Sequence, residues 1–389
     1  MKHLMLIKAA CTLTSVLFIS SAASAVTFDI YELGTLGGTK TYANAINDSG
    51  QVTGYSYLSG DNMRHAFLGD VNGLTDLGTL GGDNSVGYGI NNLGKVVGST
   101  TTVPSSHTTT YFIGDANQLT DLGKPANTNY FAARGINDSG LISGYAVYEL
   151  GPNQLGRATT LQNGGFTDYG FIESGQTSTF FGNNNSGQSI GYSYFNESYP
   201  VNNANGEFRA VIGGNGSLTD LGTLGGTKSW GLAINDNGIA TGGSYTPNNL
   251  ERHIYYGDSG GLTDIGTLGG NWGYGRAINN NGEIVGNSQT STGQAHAFYY
   301  DGIKLYDLND LVADLTDWDS LSNATGISNT GYITGTGKLA GGETRSFILR
   351  IASSNNSDNP IPEPATFALF CLGLAGIVRK RKRLAVNCV

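Results

Sequence analysis

Between Val26 and Pro364 the sequence has no cysteine: Cys11, Cys371 and Cys388, the only three in the 389-residue chain, lie in its terminal segments. This body therefore folds without disulfides, and its 339 residues are enough to bury a sizeable core unaided. Basic residues are scarce too. The two ends carry seven of the 21 Lys and Arg and none of the 30 Asp and Glu, which leaves the body at a net charge of −16. With no basic patch to neutralise phosphates, nucleic acid and anionic membrane surfaces are excluded as partners. No Gly-rich loop carries the lysine and hydroxyl residue of a nucleotide site. Histidine numbers only five, His3 among them near the N-terminus, and no Ser-His-Asp or Cys-His order can be drawn. Proline is rare, at eight residues, whereas glycine reaches 60.

The ends read as targeting segments. Lys2 and Lys8 precede an apolar stretch centred on Leu13 to Ile19, and Ala23-Ser24-Ala25 offers a small-x-small cleavage site. Residues 1–25 are thus expected to be a signal peptide. At the other end a stiff Pro360-Ile361-Pro362-Glu363-Pro364 is followed by an apolar stretch, Ala365 to Val378, and then by Arg379-Lys380-Arg381-Lys382-Arg383. Fourteen helical residues cover about 21 Å, short of the roughly 30 Å core of a bilayer. Transient inner-membrane insertion with the cations on the cytoplasmic side is expected. This three-part end, with Pro362, Glu363 and Pro364 at its head, resembles the PEP-CTERM sorting signal. The resemblance implies an exosortase-type sorting protease as partner, cleavage near the Pro-Glu-Pro, and export to the cell surface or beyond in a Gram-negative bacterium.

The glycines fall at fixed offsets in a repeat. Ile-Asn-x-x-Gly recurs at Ile46–Gly50, Ile90–Gly94, Ile136–Gly140, Ile234–Gly238 and Ile278–Gly282, with weaker copies at Asn183–Gly187 and Ile327–Gly331. The spacings are 44, 46, 47, 51, 44 and 49 residues. A second glycine lies four residues on in all seven copies: Gly54, Gly98, Gly144, Gly191, Gly242, Gly286 and Gly335. The residue before each marker is Ala or Gly. Each unit reads as four short strands. Strand A ends at the marker turn, B follows it, C is aromatic or aliphatic (His65-Ala66-Phe67-Leu68), and D is Leu74-Thr75-Asp76-Leu77 or its equivalents.

One such unit cannot cover its own apolar face, so neighbours must stack. The chain opens on a D-type strand, Asp29 to Leu33, and closes on a C-type strand, Arg345 to Ile351. A mixed last blade built from both would seal a ring and leave no open sheet edge. The expected fold is an all-β, seven-bladed β-propeller over residues 26–352, with A innermost and D at the rim. A β-solenoid and separate β modules are the alternatives. Residues 353–364 are expected to be a linker and 365–389 the sorting signal. The copies of Leu-Thr-Asp-Leu-Gly-Thr-Leu-Gly-Gly and Ala-Ile-Asn-Asp-Ser-Gly also resemble the HAF family of extracellular repeats, which implies location and repetition but no chemistry.

Candidate sites are those that break the repeat. Strand A varies four and two residues before the marker. Tyr42, Trp230 and Tyr274 hold the first position; Asn44, Tyr88, Arg134, Phe181, Leu232 and Arg276 hold the second. Strict alternation would put both positions on one face. Of these, Tyr42, Tyr88, Arg134, Trp230, Tyr274 and Arg276 form with Trp272 an expected ligand-binding set, since aromatic faces and guanidinium forks suit a carbohydrate or peptide. Sheet packing is the plainer reading of the aromatics. His65, Arg157, Arg209, His253, His296 and Arg345 begin strand C and are read as structural donors to the Asp of strand D. The Asp- and Asn-rich marker turns leave weak calcium binding open, although each offers too few oxygens for a full shell; no cofactor is expected.

These features suggest a non-enzymatic extracellular module that binds exopolysaccharide or matrix proteins. The rival is a polysaccharide hydrolase or lyase. Hydrolysis would need two carboxylates about 5–9.5 Å apart, for which Glu149, Glu173 and Glu197 are the hints.

Overall fold

The computed structural model describes residues 26–352 except 106–107, 151–152 and 196–205. They form 28 strands and one turn of 3-10 helix. In blade one the strands are Gly37–Ile46, Val52–Leu58, Arg64–Asp70 and Gly73–Gly78, labelled A to D. Each is antiparallel to the next, and the pattern recurs in every blade. Blades five and six touch through one parallel bridge, Arg252 to Trp272. Blade seven takes A, B and C from Trp318–Ile327, Ile333–Leu339 and Thr344–Ile351. Its D strand is Phe28–Leu33, paired in register from Phe28 opposite Ile351 to Leu33 opposite Ser346. The ring is closed by its first and last strands, which rules out an open solenoid.

The core lies between blades, as expected of units that cannot shield themselves. Phe67, the fourth residue of strand C in blade one, packs with Leu33 and Ile348 of blade seven and Val52 of its own blade. Phe112 of blade two does the same against Ala66 of blade one and Ile90 of its own blade. In blade four the equivalent residue is the smaller Val211, and Phe180 of strand A is fully buried there instead. Each such ring contributes roughly 1.5–3 kcal/mol by leaving water. Across the closing seam the Ala43 amide donates to Ser346 Oγ at 2.7 Å.

An Asp-rich stretch, residues 307–319, runs from blade six into blade seven. It holds the single 3-10 turn, Leu308–Asp310, capped by Asp307, whose side chain accepts from the Asn309 amide. Leu308, Leu311 and Val312 are buried in the blade-six and blade-seven cluster with Phe28. The Phe28 amide donates to the Leu311 carbonyl at 2.9 Å, and the Ala313 amide donates to the Phe28 carbonyl at 3.0 Å. The segment therefore pins the closing strand.

Candidate functional site

The marker turn carries two concentric rings of hydrogen bonds on one face of the propeller. Asn47 Oδ1 accepts from the Ser49 and Gln51 amides at 3.1 and 2.9 Å, while its Nδ2 donates to the Asn91 carbonyl of the next blade at 3.1 Å. Asn91, Asn137, Asn184, Asn235 and Asn279 each pass the same bond onward. Ser328 breaks this chain, and Thr330 spans the gap by donating to the Asp48 carbonyl at 2.7 Å. The outer ring closes fully. Each of the residues Asp48, Asn92, Asp138, Asn185, Asp236, Asn280 and Asn329 donates its amide to the next side chain, and Asn329 returns to Asp48 at 2.7 Å. Their oxygens are spent on the ring itself. No cluster of three or more His, Cys, Asp or Glu placed to hold a metal occurs among the described residues.

The opposite mouth has a different construction. Strand A carries a β-bulge in every blade, one residue long, as between Ala43 and Ala45 or between Ala133 and Gly135. The bulged residues are Asn44, Tyr88, Arg134, Phe181, Leu232, Arg276 and Thr325. All seven line one axial funnel of about 410 Å³, joined by Trp230 and Tyr274. A bulge frees one residue from the ladder and re-aims it, so the repeat presents its most variable position to the axis.

The second glycine of the repeat makes the bulge possible. A Cβ on Gly144 would stand 1.9 Å from the Ala132 carbonyl oxygen, and one on Gly191 would stand 1.7 Å from that of Thr179. The other five copies meet the same strand-A carbonyl at 1.8 to 2.1 Å. The small residue before each marker has a related cause: a Cβ on Gly89 would reach the Arg134 carbonyl of the next blade at 3.0 Å.

Of the expected binding residues, Arg134, Arg276, Tyr88, Trp230 and Tyr274 share the funnel. Tyr42 and Trp272 do not line it. Tyr42 stacks on Tyr55 at 4.8 Å, and Trp272 lies 5.9 Å from the Arg252 guanidinium. The bulged second position lines the funnel in every blade, whereas the first does so only through Trp230 and Tyr274. Asn44, Phe181, Leu232 and Thr325 complete the set.

The funnel is electropositive in an acidic protein. Arg134 lies over Tyr88 at 4.6 Å and over Tyr145 at 5.8 Å. Arg252 lies 3.7 Å and Arg276 5.4 Å from the centre of the same ring, Tyr274. Among the described residues none of these three arginines has a carboxylate partner, in contrast to Arg157, Arg209 and Arg345. Burial lowers the Arg276 pKa. In Arg134 burial pulls the same way, but Tyr88 and Tyr145 more than offset it and the pKa is raised. Burial also raises the Tyr274 hydroxyl. The Nε of Arg134 and that of Arg252 are buried without a hydrogen-bond partner.

Strand-C donors behave as rim fasteners. Those of blades one to six meet the strand-D Asp: His65 to Asp76 at 2.9 Å, Thr110 to Asp121 at 3.0 Å, Arg157 to Asp168 at 3.2 Å, Arg209 to Asp220 at 3.0 Å, His253 to Asp264 at 2.8 Å and His296 to Asp307 at 2.5 Å. In blade seven Arg345 meets Glu32 at 3.0 Å. Of the three carboxylate hints, only Glu173 has a described side chain. Glu173 is exposed on a turn, the side chain of Glu149 lies outside the described set, and so does Glu197.

The fold is similar to that of the β-propeller domain of the Trilobed protease from Pyrococcus furiosus, at 15% identity and TM-score 0.50, covering 69% of this chain and 81% of that one. It is also similar to an acylaminoacyl peptidase from Pyrococcus horikoshii, at 10% identity and TM-score 0.48, covering 79% of this chain and 52% of that one. A gluconolactonase from Xanthomonas campestris matches at 12% identity and TM-score 0.33, covering 86% and 99%. No curated protein matches the chain. These likenesses show the fold alone, but the names are those of enzymes. The expectation of a non-enzymatic module is thereby corrected: the ring of the Trilobed protease belongs to an enzyme, so a non-enzymatic role does not follow from the fold. Among the described residues no helix is long and apolar enough to cross a membrane; the apolar stretch Ala365 to Val378 lies outside them. Residues 360–383 are a PEP-CTERM protein-sorting motif, which supports an exported, cell-surface location.

Proposed function

We propose that the axial funnel is the substrate site of an extracellular polysaccharide lyase acting on an acidic, uronate-containing polymer. One observation carries this: two guanidiniums and four aromatic side chains converge on a cavity whose lining holds no carboxylate. Hydrolysis by a carboxylate pair finds no support there. Elimination needs a group that neutralises the sugar carboxylate, which acidifies the adjacent C5 proton, and a base to remove that proton. Arg134 and Arg276 supply the first. Tyr88, under the Arg134 guanidinium and 3.1 Å from Ser99 Oγ, supplies the second as its phenolate. The C5 proton passes to Tyr88, the C4–O4 bond breaks, its electrons leave with O4, and a C4=C5 double bond forms. The same phenol then returns the proton to the departing O4.

The domain plan is proposed with it: a signal peptide over 1–25, the propeller over 26–352, a linker over 353–364 and a sorting segment over 365–389, recognised by an exosortase-type protease in a Gram-negative host. A HAF-repeat relationship fits the extracellular setting. The test is incubation of the purified protein with a panel of uronate polymers. Growth of the ultraviolet absorbance of unsaturated sugar ends, abolished in Tyr88→Phe, is expected. Release of saturated reducing ends instead would point to hydrolysis, and no product from any polymer would dismiss the reading.

A further inference from the structure

The seam between blades three and four holds a gap that opens onto the funnel. In blades four and five a large residue just before the strand-C donor fills the space to the next blade. Phe208 meets Trp230 of the next blade at 4.6 Å, and Arg252 covers Tyr274 of the next blade at 3.7 Å. In blade three this residue is Gly156. Facing it from blade four, where blades five and six have Trp230 and Tyr274, is Thr179. Small residues on both sides leave a wedge of about 380 Å³. Tyr130, Tyr145 and Tyr192 remain on its walls, and Arg134 and Phe181 line both the wedge and the funnel.

Gly156 is not demanded by the backbone. Its φ is not positive, and an added Cβ would make only ordinary contacts, 3.4 Å to Tyr145 and 3.7 Å to Thr177. A larger side chain would fit and would fill the wedge as Phe208 fills its own seam. The empty space is thus a feature of this sequence rather than a requirement of the fold.

We propose that this wedge holds the sugars next to the reacting one, so that an extended acidic chain runs from the axis outward between blades three and four. The placement of the reacting sugar rests on the lyase reading; the wedge has its own basis in Gly156 and Thr179. Both cavities fall within the roughly 300–1,000 Å³ of ordinary ligand sites, and tyrosine faces suit stacking on sugar rings. Arg134 at the junction holds a carboxylate of the chain as it bends from one cavity into the other.

The experiment measures binding of a uronate disaccharide and hexasaccharide to the purified full chain and to Gly156→Phe, Gly156→Ala and Tyr130→Ala, with melting temperatures as the folding control. The hexasaccharide is expected to bind wild type at least about tenfold more tightly than the disaccharide. Gly156→Phe should remove that gain and leave disaccharide affinity unchanged, Gly156→Ala should keep it, and Tyr130→Ala should reduce it should the plugged variant not fold. Equal affinity for both lengths in wild type, or a folded Gly156→Phe that keeps the gain, overturns the wedge. Length-dependent binding without unsaturated products supports the wedge and dismisses the elimination chemistry instead.

Discussion

Arg345 Nε stands 3.0 Å from the Glu32 carboxylate, joining the last strand of the ring to the first. In six blades the strand-C donor finds its partner within its own repeat, eleven residues on. In the seventh the partner arrives from the other end of the chain, so the rim contact doubles as the closure. The Arg345 guanidinium also donates to the Thr39 carbonyl of blade one.

Closure should depend on the strand far more than on the ion pair. Arg345→Ala is expected to cost no more than about 1 kcal/mol, since Glu32 is well exposed to solvent. Removing residues 26–33 takes away Phe28 and Leu33, both 1% exposed, and bares the strand-C edge of blade seven. Thermal melts should show a small shift for the first variant and loss of the cooperative transition for the second. A truncated chain that melts like wild type would contradict velcro closure.

The strand-B glycines should be intolerant of any side chain. Gly144→Ala places a methyl 1.9 Å from a carbonyl oxygen and is expected to cost about 3 kcal/mol or more. Gly34→Ala, with nothing within 4 Å, is the control and should be close to neutral. Denaturant unfolding of the pair checks this.

The inner asparagine ring should be a stability device. Asn137 is 4% exposed. Its side chain accepts from the Ser139 and Leu141 amides at 3.1 and 2.9 Å and donates to the Asn184 carbonyl at 2.8 Å. Asn137→Ala strands these groups and is expected to cost roughly 2–3 kcal/mol in denaturant unfolding, whereas Asn137→Ser should recover part of the loss, as Ser328 does naturally in blade seven.

Acid titration offers a separate check. A hydrogen bond from Lys95, at 2.6 Å, leads the groups that lower the Asp115 pKa to about 2. A carboxylate lowered on folding adds stability above its ordinary range, and that contribution is lost as pH falls through about 2. Lys95→Met should raise the Asp115 midpoint seen by NMR toward the ordinary carboxylate range, with little change in melting at neutral pH because the pair is exposed.

Much of the ring was legible in the sequence because its determinants are local and repeated. Ile-Asn-x-x-Gly fixes a turn, and the phase of the first and last strands fixes closure. The bulge was only half visible. Gly54 and its six equivalents marked it, but nothing in one sequence says that a carbonyl crowds them. Tyr42 and Trp272 were therefore grouped with the funnel, Asn44, Phe181 and Leu232 were marked only as holders of the variable position, and Thr325 was not marked at all. The wedge was hidden for another reason. Gly156 is informative only beside Phe208 and Arg252, once the inter-blade contacts are known.

The central claim is that the funnel selects negative charge on a sugar. Calorimetric titration with a uronate oligosaccharide and with the same oligosaccharide after reduction of its carboxyl groups tests this directly. The acidic ligand should bind, the reduced one should bind about 100-fold more weakly, and Arg134→Gln with Arg276→Gln should erase the difference. Equal binding of the two ligands by wild type would contradict the account.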